Sequence, residues 1–122
     1  MKKRLLIVDD EEFNRDLLEL HLQEDYFIDT AENGKEALAK LETGRYSAVL
    51  LDVNMPEMNG IEALKEIRKK DTNIPIIMQS AYAFENDMEA ARAAGSNGFI
   101  TKPINIVELK KTISKFLPQI TW

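Results

Sequence analysis

The chain has 122 residues, no cysteine and a formal net charge of −5 at pH 7. This length suits one domain over residues 1–122, with a core that needs no disulfide or metal. The negative charge argues against direct binding of nucleic acid, because affinity for phosphate backbones depends on clustered lysine and arginine. No apolar run approaches the roughly 20 residues of a membrane helix, and no signal-peptide pattern opens the sequence. We therefore expect a cytoplasmic protein that has no contact with a membrane.

The first predicted elements are a buried strand and an amphipathic helix. Residues 5–8 form an apolar run, Leu-Leu-Ile-Val, that ends on Asp9 and Asp10. Apolar residues then recur at helical spacing, which predicts a helix from residue 13 to about residue 23. Its expected buried stripe comprises Phe13, Leu17 and Leu20, with Leu18 and Leu22 beside them. The lone His21 has no second ligand at metal-binding spacing, so we interpret it as a helix-surface or packing residue.

A weaker strand, a second helix and a strongly apolar strand follow. Residues 27–31 are more polar, as is typical of an edge strand. The next apolar stripe predicts a helix that ends at Thr43 and Gly44. Residues 48–52 read Ala-Val-Leu-Leu-Asp, an apolar run bounded by turn residues that predicts a strand buried on both faces. Asp52 is therefore expected at the carboxyl end of a central strand, where open α/β sheets bind their ligands.

The second half of the chain continues the alternation of helix and strand. Residues 76–78 predict a strand that continues through Gln79 to Ser80. Residues 99–101 predict a fifth strand, which Lys102 closes. Apolar residues at helical spacing mark three further helices, with stripes of Ile61, Leu64 and Ile67, of Phe84, Met88 and Ala91, and of Ile106, Leu109, Ile113 and Phe116.

Five strands that alternate with five helices predict a parallel sheet covered by helices on both faces, a (βα)5 arrangement of the α/β class. The flavodoxin-like, doubly wound strand order 2-1-3-4-5 fits best, because it places the most apolar strands, the first and third, side by side. This order brings Asp9, Asp10 and Asp52 together at one edge of the five-stranded sheet.

Three ionised carboxylates in one crevice repel one another unless the protein supplies opposite charge. Oxygen ligands without a nearby histidine or cysteine favour a hard cation, and few carboxylates with room for water favour Mg²⁺ over Ca²⁺. Lys102 is the candidate for the remaining positive charge, since it ends the fifth strand at the same edge. Ser80 ends the fourth strand, where its hydroxyl can donate to an oxygen that enters the crevice.

Four short motifs lie at these strand ends: Leu-Ile-Val-Asp-Asp at 6–10, Leu-Asp-Val-Asn-Met-Pro at 51–56 with Asn-Gly at 59–60, Ser-Ala at 80–81, and Phe-Ile-Thr-Lys-Pro at 99–103. In this combination the chain resembles the receiver domain of two-component response regulators over nearly its whole length. The resemblance implies a signalling domain rather than an enzyme with turnover. It also implies that a histidine kinase or a histidine phosphotransfer protein donates a phosphoryl group to Asp52.

The resemblance assigns further roles at the site. Asp9 and Asp10 would hold Mg²⁺ together with Asp52 and the backbone carbonyl of Asn54. Lys102 would pair with the phosphoryl group.

The resemblance also implies how a signal leaves the site. The bond between Lys102 and Pro103 is similar to one that is cis in the family. Ser80 would bond a phosphoryl oxygen, and Phe99 would turn inward as a steric switch. The output surface would be the face of the fourth helix, fifth strand and fifth helix, where a downstream protein binds.

Other interpretations stay open. A Mg²⁺-dependent aspartate-nucleophile phosphatase also attacks with Asp, but it needs a second Asp where Asn54 stands. A flavin or nucleotide carrier needs a Gly- or Thr-rich phosphate loop after the first strand, where this chain has acids. The chain either acts alone or is a receiver from a longer regulator or hybrid histidine kinase. Gln79 is polar where an apolar strand residue would be unremarkable, and Tyr82 and Asn54 stand where the resemblance implies tuning of phosphoryl lifetime.

Overall fold

The computed structural model describes residues 2–81 and 85–117. Strands and helices alternate in the order β1 (Lys3–Val8), α1 (Glu12–Leu22), β2 (Tyr26–Ala31), α2 (Gly34–Thr43), β3 (Ala48–Asp52), α3 (Gly60–Lys70), β4 (Ile76–Ser80), α4 (Glu85–Ala93), β5 (Gly98–Thr101) and α5 (Ile106–Phe116). Phe84, predicted in the stripe of the fourth helix, and Tyr82, with its implied tuning role, lie outside the described residues.

The strands form one parallel sheet in the order β2-β1-β3-β4-β5, which confirms the predicted flavodoxin-like topology. β3 lies at the centre, between β1 and β4, and β2 is an edge strand as its polar composition indicated. Both faces of the sheet are covered by helices, because the apolar residues of each strand alternate between two core clusters. The carboxyl ends of β1, β3, β4 and β5 therefore meet at one edge of the molecule.

Three helices begin with the same local device, an asparagine side chain that accepts a hydrogen bond from the helix backbone. Asn33 caps α2, Asn59 caps α3 and Asn105 caps α5, and in each case the donor is the N–H of a glutamate three residues later. Such caps pair an N–H that would otherwise lack a hydrogen-bond acceptor. The positive end of the helix dipole also stabilises the negative charge of the glutamate. The helix starts are thus encoded locally, close to the loops that form the carboxyl edge.

The two sides of the sheet are distinct cores. The α1–α5 side contains Leu18 and Leu22 of α1 with Leu109 and Ile113 of α5. The opposite side, called the α2–α4 side here, is covered by α2, α3 and α4. Within residues 2–81 and 85–117, no helix combines the length and the apolar character needed to cross a membrane.

The prediction for the first helix was wrong about which stripe is buried. Phe13 is 72% exposed, Leu20 is 62% exposed and Leu17 is 40% exposed, while Leu18 and Leu22 are buried. α1 carries two adjacent apolar stripes, and only one of them can face the sheet. His21 is exposed on the helix surface, in agreement with its interpretation.

Candidate functional site

Strand alternation brings four polar side chains to the α1–α5 side of the carboxyl edge. Each lies two residues beyond a buried apolar residue of that side, since side chains of a strand alternate between faces. The pairs are Ile7 with Asp9, Leu50 with Asp52, Ile77 with Gln79, and Ile100 with Lys102. Backbone hydrogen bonds of 3.1 Å from Asp9 N to Ala31 O and of 2.7 Å from Lys102 N to Ser80 O extend the strand pairing to the site.

Lys102 links the two buried carboxylates of the cluster. Its Nζ lies 3.2 Å from Asp52 Oδ2 and 3.4 Å from Asp9 Oδ2. Asp9 and Asp52 are almost entirely excluded from solvent, whereas the Lys102 side chain keeps 18% of its surface exposed. The other Asp9 oxygen, Oδ1, accepts from the backbone N–H of Glu11 at 2.9 Å. One ammonium therefore serves two carboxylates, which leaves the cluster with excess negative charge.

This excess charge changes the acidity of Asp52. Burial and, to a smaller extent, the Asp9 carboxylate raise the pKa of Asp52, Lys102 and the backbone N–H of Asn54 partly oppose them, and the resulting pKa is about 6. Burial alone would lower the pKa of Lys102, but the Asp52 and Asp9 carboxylates outweigh it, so the pKa is raised. At neutral pH the cluster holds an ionised Asp52 beside a firmly protonated Lys102.

Asp10 completes a group of three carboxylates. One oxygen from each of Asp9, Asp10 and Asp52 lies within 4.8 Å of the other two, and Asp10 is exposed while its partners are buried. The structure thus brings together the three acids that were predicted to meet. All-oxygen donors with an open side toward solvent match the ligand preference of a hard divalent cation.

Asn54 and Ser80 connect the loops that flank Asp52. The backbone N–H of Asn54 donates to Asp52 Oδ1 at 3.2 Å, and the Asn54 side-chain amide donates to Ser80 Oγ at 3.1 Å. Ser80 is buried at the end of β4, next to Gln79, the residue that pairs with Asp52. The predicted hydroxyl is therefore positioned beside the acidic cluster, one strand away from it.

The remaining predicted residues lie at the border of the cluster. The peptide bond between Lys102 and Pro103 is cis. Phe99 is half-buried and packs on the α2–α4 side of the sheet, opposite the side of Lys102.

Gly60, at the start of α3, packs directly on the main chain of Asp52. Its N–H donates to Val53 O at 2.8 Å, and a Cβ at this position would lie 2.1 Å from Asp52 O. No side chain larger than hydrogen fits there unless the backbone moves.

Gln79 is the site residue whose position the sequence interpretation missed. It is fully buried, and its Nε2 lies 3.5 Å from Asp9 Oδ2. Its polarity was noted, but its place beside the acids follows only from combining strand alternation with the register that pairs Asp52 with Gln79.

A parallel sheet of this order, with three carboxylates and a lysine at its carboxyl edge, defines a class of signalling domain. Residues 5–114 match the family model described as response regulator receiver domain. The chain belongs to this family, the receiver domains of two-component signalling.

Individual relatives support this membership. The chain is 41% identical over 118 residues to the chemotaxis protein CheY of Halobacterium salinarum, covering 96% of this chain and 98% of that protein. The response regulator protein TrrA from Thermotoga maritima, solved in complex with Mg²⁺–BeF, is 44% identical, with a TM-score of 0.86 over 96% of this chain and 100% of that one. The chemotaxis protein CheY4 of Vibrio cholerae has a TM-score of 0.92 at 33% identity, over 96% of this chain and 100% of that one.

Some relatives are longer. The chain spans nearly all of CheY from Halobacterium salinarum, but only about half the length of four transcriptional regulatory proteins that it also matches. The family membership thus concerns the receiver portion of those proteins.

Proposed function

We propose that the chain is a single receiver domain that accepts a phosphoryl group on Asp52 from a phosphohistidine of a histidine kinase or a histidine phosphotransfer protein. An Oδ oxygen of Asp52 forms a bond to phosphorus while the bond from phosphorus to the imidazole nitrogen breaks. The electron pair of that bond stays with the imidazole, and Asp52 becomes an acyl phosphate. The observation that carries the proposal is the buried Asp52 carboxylate with Lys102 Nζ 3.2 Å away and two further acids beside it.

The state of Asp52 suits it to attack without a general base. With its pKa raised to about 6, the carboxylate is ionised at neutral pH and more basic than an ordinary aspartate. Phosphoryl transfer passes through a loose transition state, so the protein contributes mainly alignment and charge compensation. Lys102 provides part of that compensation by pairing with a phosphoryl oxygen.

In this proposal Mg²⁺ is held by the carboxylates of Asp9, Asp10 and Asp52 and by the backbone carbonyl of Asn54. The donor set fits the ion, because the three carboxylate oxygens lie within 4.8 Å of one another and the group contains no nitrogen or sulfur ligand. Three carboxylates are balanced by one divalent cation and the Lys102 ammonium. Bound Mg²⁺ supplies positive charge that offsets repulsion between the carboxylates and the phosphoryl oxygens.

The phosphorylated state is read by Ser80 and Phe99. A phosphoryl group adds acceptor oxygens beside the buried end of β4, where the Ser80 hydroxyl donates to one of them. Movement of Ser80 toward the phosphoryl group makes room for Phe99 to turn inward from its half-buried position. The face formed by α4, β5 and α5 then changes shape and binds a downstream protein.

The phosphohistidine donor packs on the exposed stripe of α1, comprising Phe13, Leu17 and Leu20. Phe13 and Leu17 line one groove with Pro103 and Ile104, directly beside Lys102. A protein donor must reach the carboxyl edge, and an apolar surface next to that edge is typical of a protein-binding site. The stripe of α1 that was wrongly predicted to be buried therefore takes part in binding the phosphohistidine donor.

The decisive experiment is incubation with Mg²⁺ and a small phosphodonor such as acetyl phosphate, followed by intact-mass spectrometry. We expect one adduct of about 80 Da, the mass of HPO₃, that is stable in acid and labile in base. Asp52→Asn should abolish the adduct, while the matched control Asp16→Asn, an exposed acid on α1, should leave it unchanged. An adduct that persists in Asp52→Asn contradicts the proposed acceptor, and multiple turnover of phosphate release would favour the phosphatase interpretation.

A further inference from the structure

Gln79 presents a buried amide to the acidic cluster. The residue is 0% exposed, and its Nε2 lies 3.5 Å from Asp9 Oδ2. This orientation of the amide is the favourable one, because the reverse would set its carbonyl oxygen against a carboxylate. Among the residues that the structure describes, Gln79 Oε1 is a buried side-chain oxygen without a hydrogen-bond partner.

Packing does not explain why an amide occupies this position. Toward the core, the residues on the same side of the sheet are apolar, including Ile77 and Ile100, whereas at the carboxyl edge Gln79 lies beside Asp9 and Asp52. An apolar side chain of similar volume would fill the space without leaving a buried oxygen unpaired, which is unfavourable. Buried groups of this kind call for a functional explanation, and the group that Gln79 faces is Asp9.

Asp9 Oδ2 is shared by two donors at long distances. Lys102 Nζ approaches it at 3.4 Å and Gln79 Nε2 at 3.5 Å, both beyond the usual range for nitrogen–oxygen hydrogen bonds. Lys102 Nζ also donates to Asp52 Oδ2 at 3.2 Å, so its ammonium keeps a hydrogen-bond partner if it moves away from Asp9. Gln79 belongs to β4, and its side-chain amide donates to Asp9 Oδ2.

We propose that Gln79 is a positioning residue that keeps Asp9 Oδ2 hydrogen-bonded when Lys102 turns toward a phosphoryl group on Asp52. The inference rests on the proposed function, because the phosphoryl group is what draws the ammonium away. Without the amide, that movement would leave Asp9 Oδ2 without a hydrogen-bond donor among the described residues, even where Asp9 also holds Mg²⁺. With the amide, the contact from Nε2 shortens as Lys102 withdraws.

The proposal predicts that one substitution preserves or raises the stability of the ligand-free protein but weakens its binding of a phosphoryl analogue. Gln79→Met removes both amide atoms at similar volume, so the melting temperature without ligands should equal or exceed that of the wild type. The affinity for beryllofluoride, an analogue of the phosphoryl group, at saturating Mg²⁺ should fall about tenfold, as expected when a buried carboxylate oxygen loses its donor. Ile77→Met, on the same face of the same strand, is the matched control and should keep wild-type affinity.

Titration calorimetry measures the affinities, and NMR reports on the amide itself. In the wild type, the side-chain N–H resonances of Gln79 should move downfield when beryllofluoride binds, as the contact to Asp9 shortens. Equal affinities in Gln79→Met and the wild type, or unmoved amide resonances, overturn the proposal. A loss of affinity that Ile77→Met reproduces also overturns it, since that effect belongs to packing. Wild-type protein that binds no beryllofluoride overturns the proposed function first, and this inference with it.

Discussion

Two half-buried cations, Arg68 at the amino edge of the sheet and Lys102 at its carboxyl edge, have different kinds of partner. At the amino edge, Arg68 of α3 donates to Gly95 O at 3.0 Å, to Asp71 O at 3.1 Å and to Asn97 Oδ1 at 2.9 Å. All three acceptors are neutral. At the carboxyl edge, Lys102 faces two buried carboxylates and cannot neutralise both.

This difference in partners suggests that Arg68 contributes to stability, whereas Lys102 belongs to the proposed functional site. Arg68 ties the end of α3 to the turn before β5 through hydrogen bonds to neutral acceptors, which need donors but no compensating charge. The carboxyl edge instead keeps repelling charges in place, which lowers stability and, in the proposed function, prepares a site for a cation and a phosphoryl group. Substitutions at the two edges should therefore respond differently to pH, to Mg²⁺ and to phosphodonors.

The largest expected effect is that of Lys102→Met on phosphorylation. Loss of the ammonium removes a charge that compensates the transferring phosphoryl group, so the rate with acetyl phosphate should fall about 100-fold. Quench-and-mass kinetics at saturating Mg²⁺ measure this rate. Lys110→Met, which removes an exposed lysine paired with Asp25, is the control. A rate within about threefold of wild type in Lys102→Met would contradict the role of Lys102.

Asp52→Asn should stabilise the protein, with a defined pH dependence. The ordinary pKa of 3.8 applies to Asp52 in the unfolded chain, and burial raises the folded value to about 6. Between these values the folded state binds more protons, so the contribution of Asp52 to unfolding free energy decreases as pH rises and is lost above pH 6. The variant should then exceed the wild type by about 3 kcal/mol, from two pKa units at about 1.36 kcal/mol each.

Urea unfolding in EDTA from pH 4 to pH 8 measures this difference. The gap between the variant and the wild type should open across the interval from pH 4 to pH 6 and then remain constant. A gap that is already complete at pH 4, or that closes as pH rises, contradicts the raised pKa of Asp52.

Arg68→Ala should instead lower stability at every pH and leave phosphorylation unchanged. It removes three hydrogen bonds and leaves the carbonyl of Gly95 without its donor, which costs about 2 kcal/mol of unfolding free energy. The loss should be the same from pH 5 to pH 8, and the phosphorylation rate should match the wild type. Phosphorylation that slows as much as in Lys102→Met would show that the two edges are not independent.

Tyr46→Phe gives the smallest expected change. The Tyr46 hydroxyl donates to Asp29 Oδ2 at 2.7 Å, and its loss should cost about 1 kcal/mol. Burial, with the hydrogen bond and charge of Asp29, raises the pKa of Tyr46 to about 12. Ultraviolet titration should therefore show a phenol ionisation near pH 12, and this step should be absent from the variant.

The order of the elements and the acids at their ends could be predicted because each is a local property of the sequence. An apolar run that stops at Asp9 or Asp52 predicts both a strand and the residue at which that strand ends. The meeting of the acids then followed from topology, since the carboxyl ends of parallel strands share one edge.

The orientation of α1 and the place of Gln79 could not be predicted in the same way. Two apolar stripes on one helix, led by Phe13 and by Leu18, have similar periodicity, and packing against the sheet decides between them. Gln79 contacts Asp9 across β3, so its role depends on strand register, which the sequence does not state directly.

Close packing of Gly60 restricts the movement of the central strand, β3. β1 and β4 hold β3 from both sides, and the start of α3 fits so closely on Asp52 O that not even a methyl group can be added. The Cα of Asp52 should therefore stay fixed if its side chain is phosphorylated as proposed. Displacement would then fall on Lys102 and on Ser80 at the end of β4, with β3 as the stationary reference against which they move.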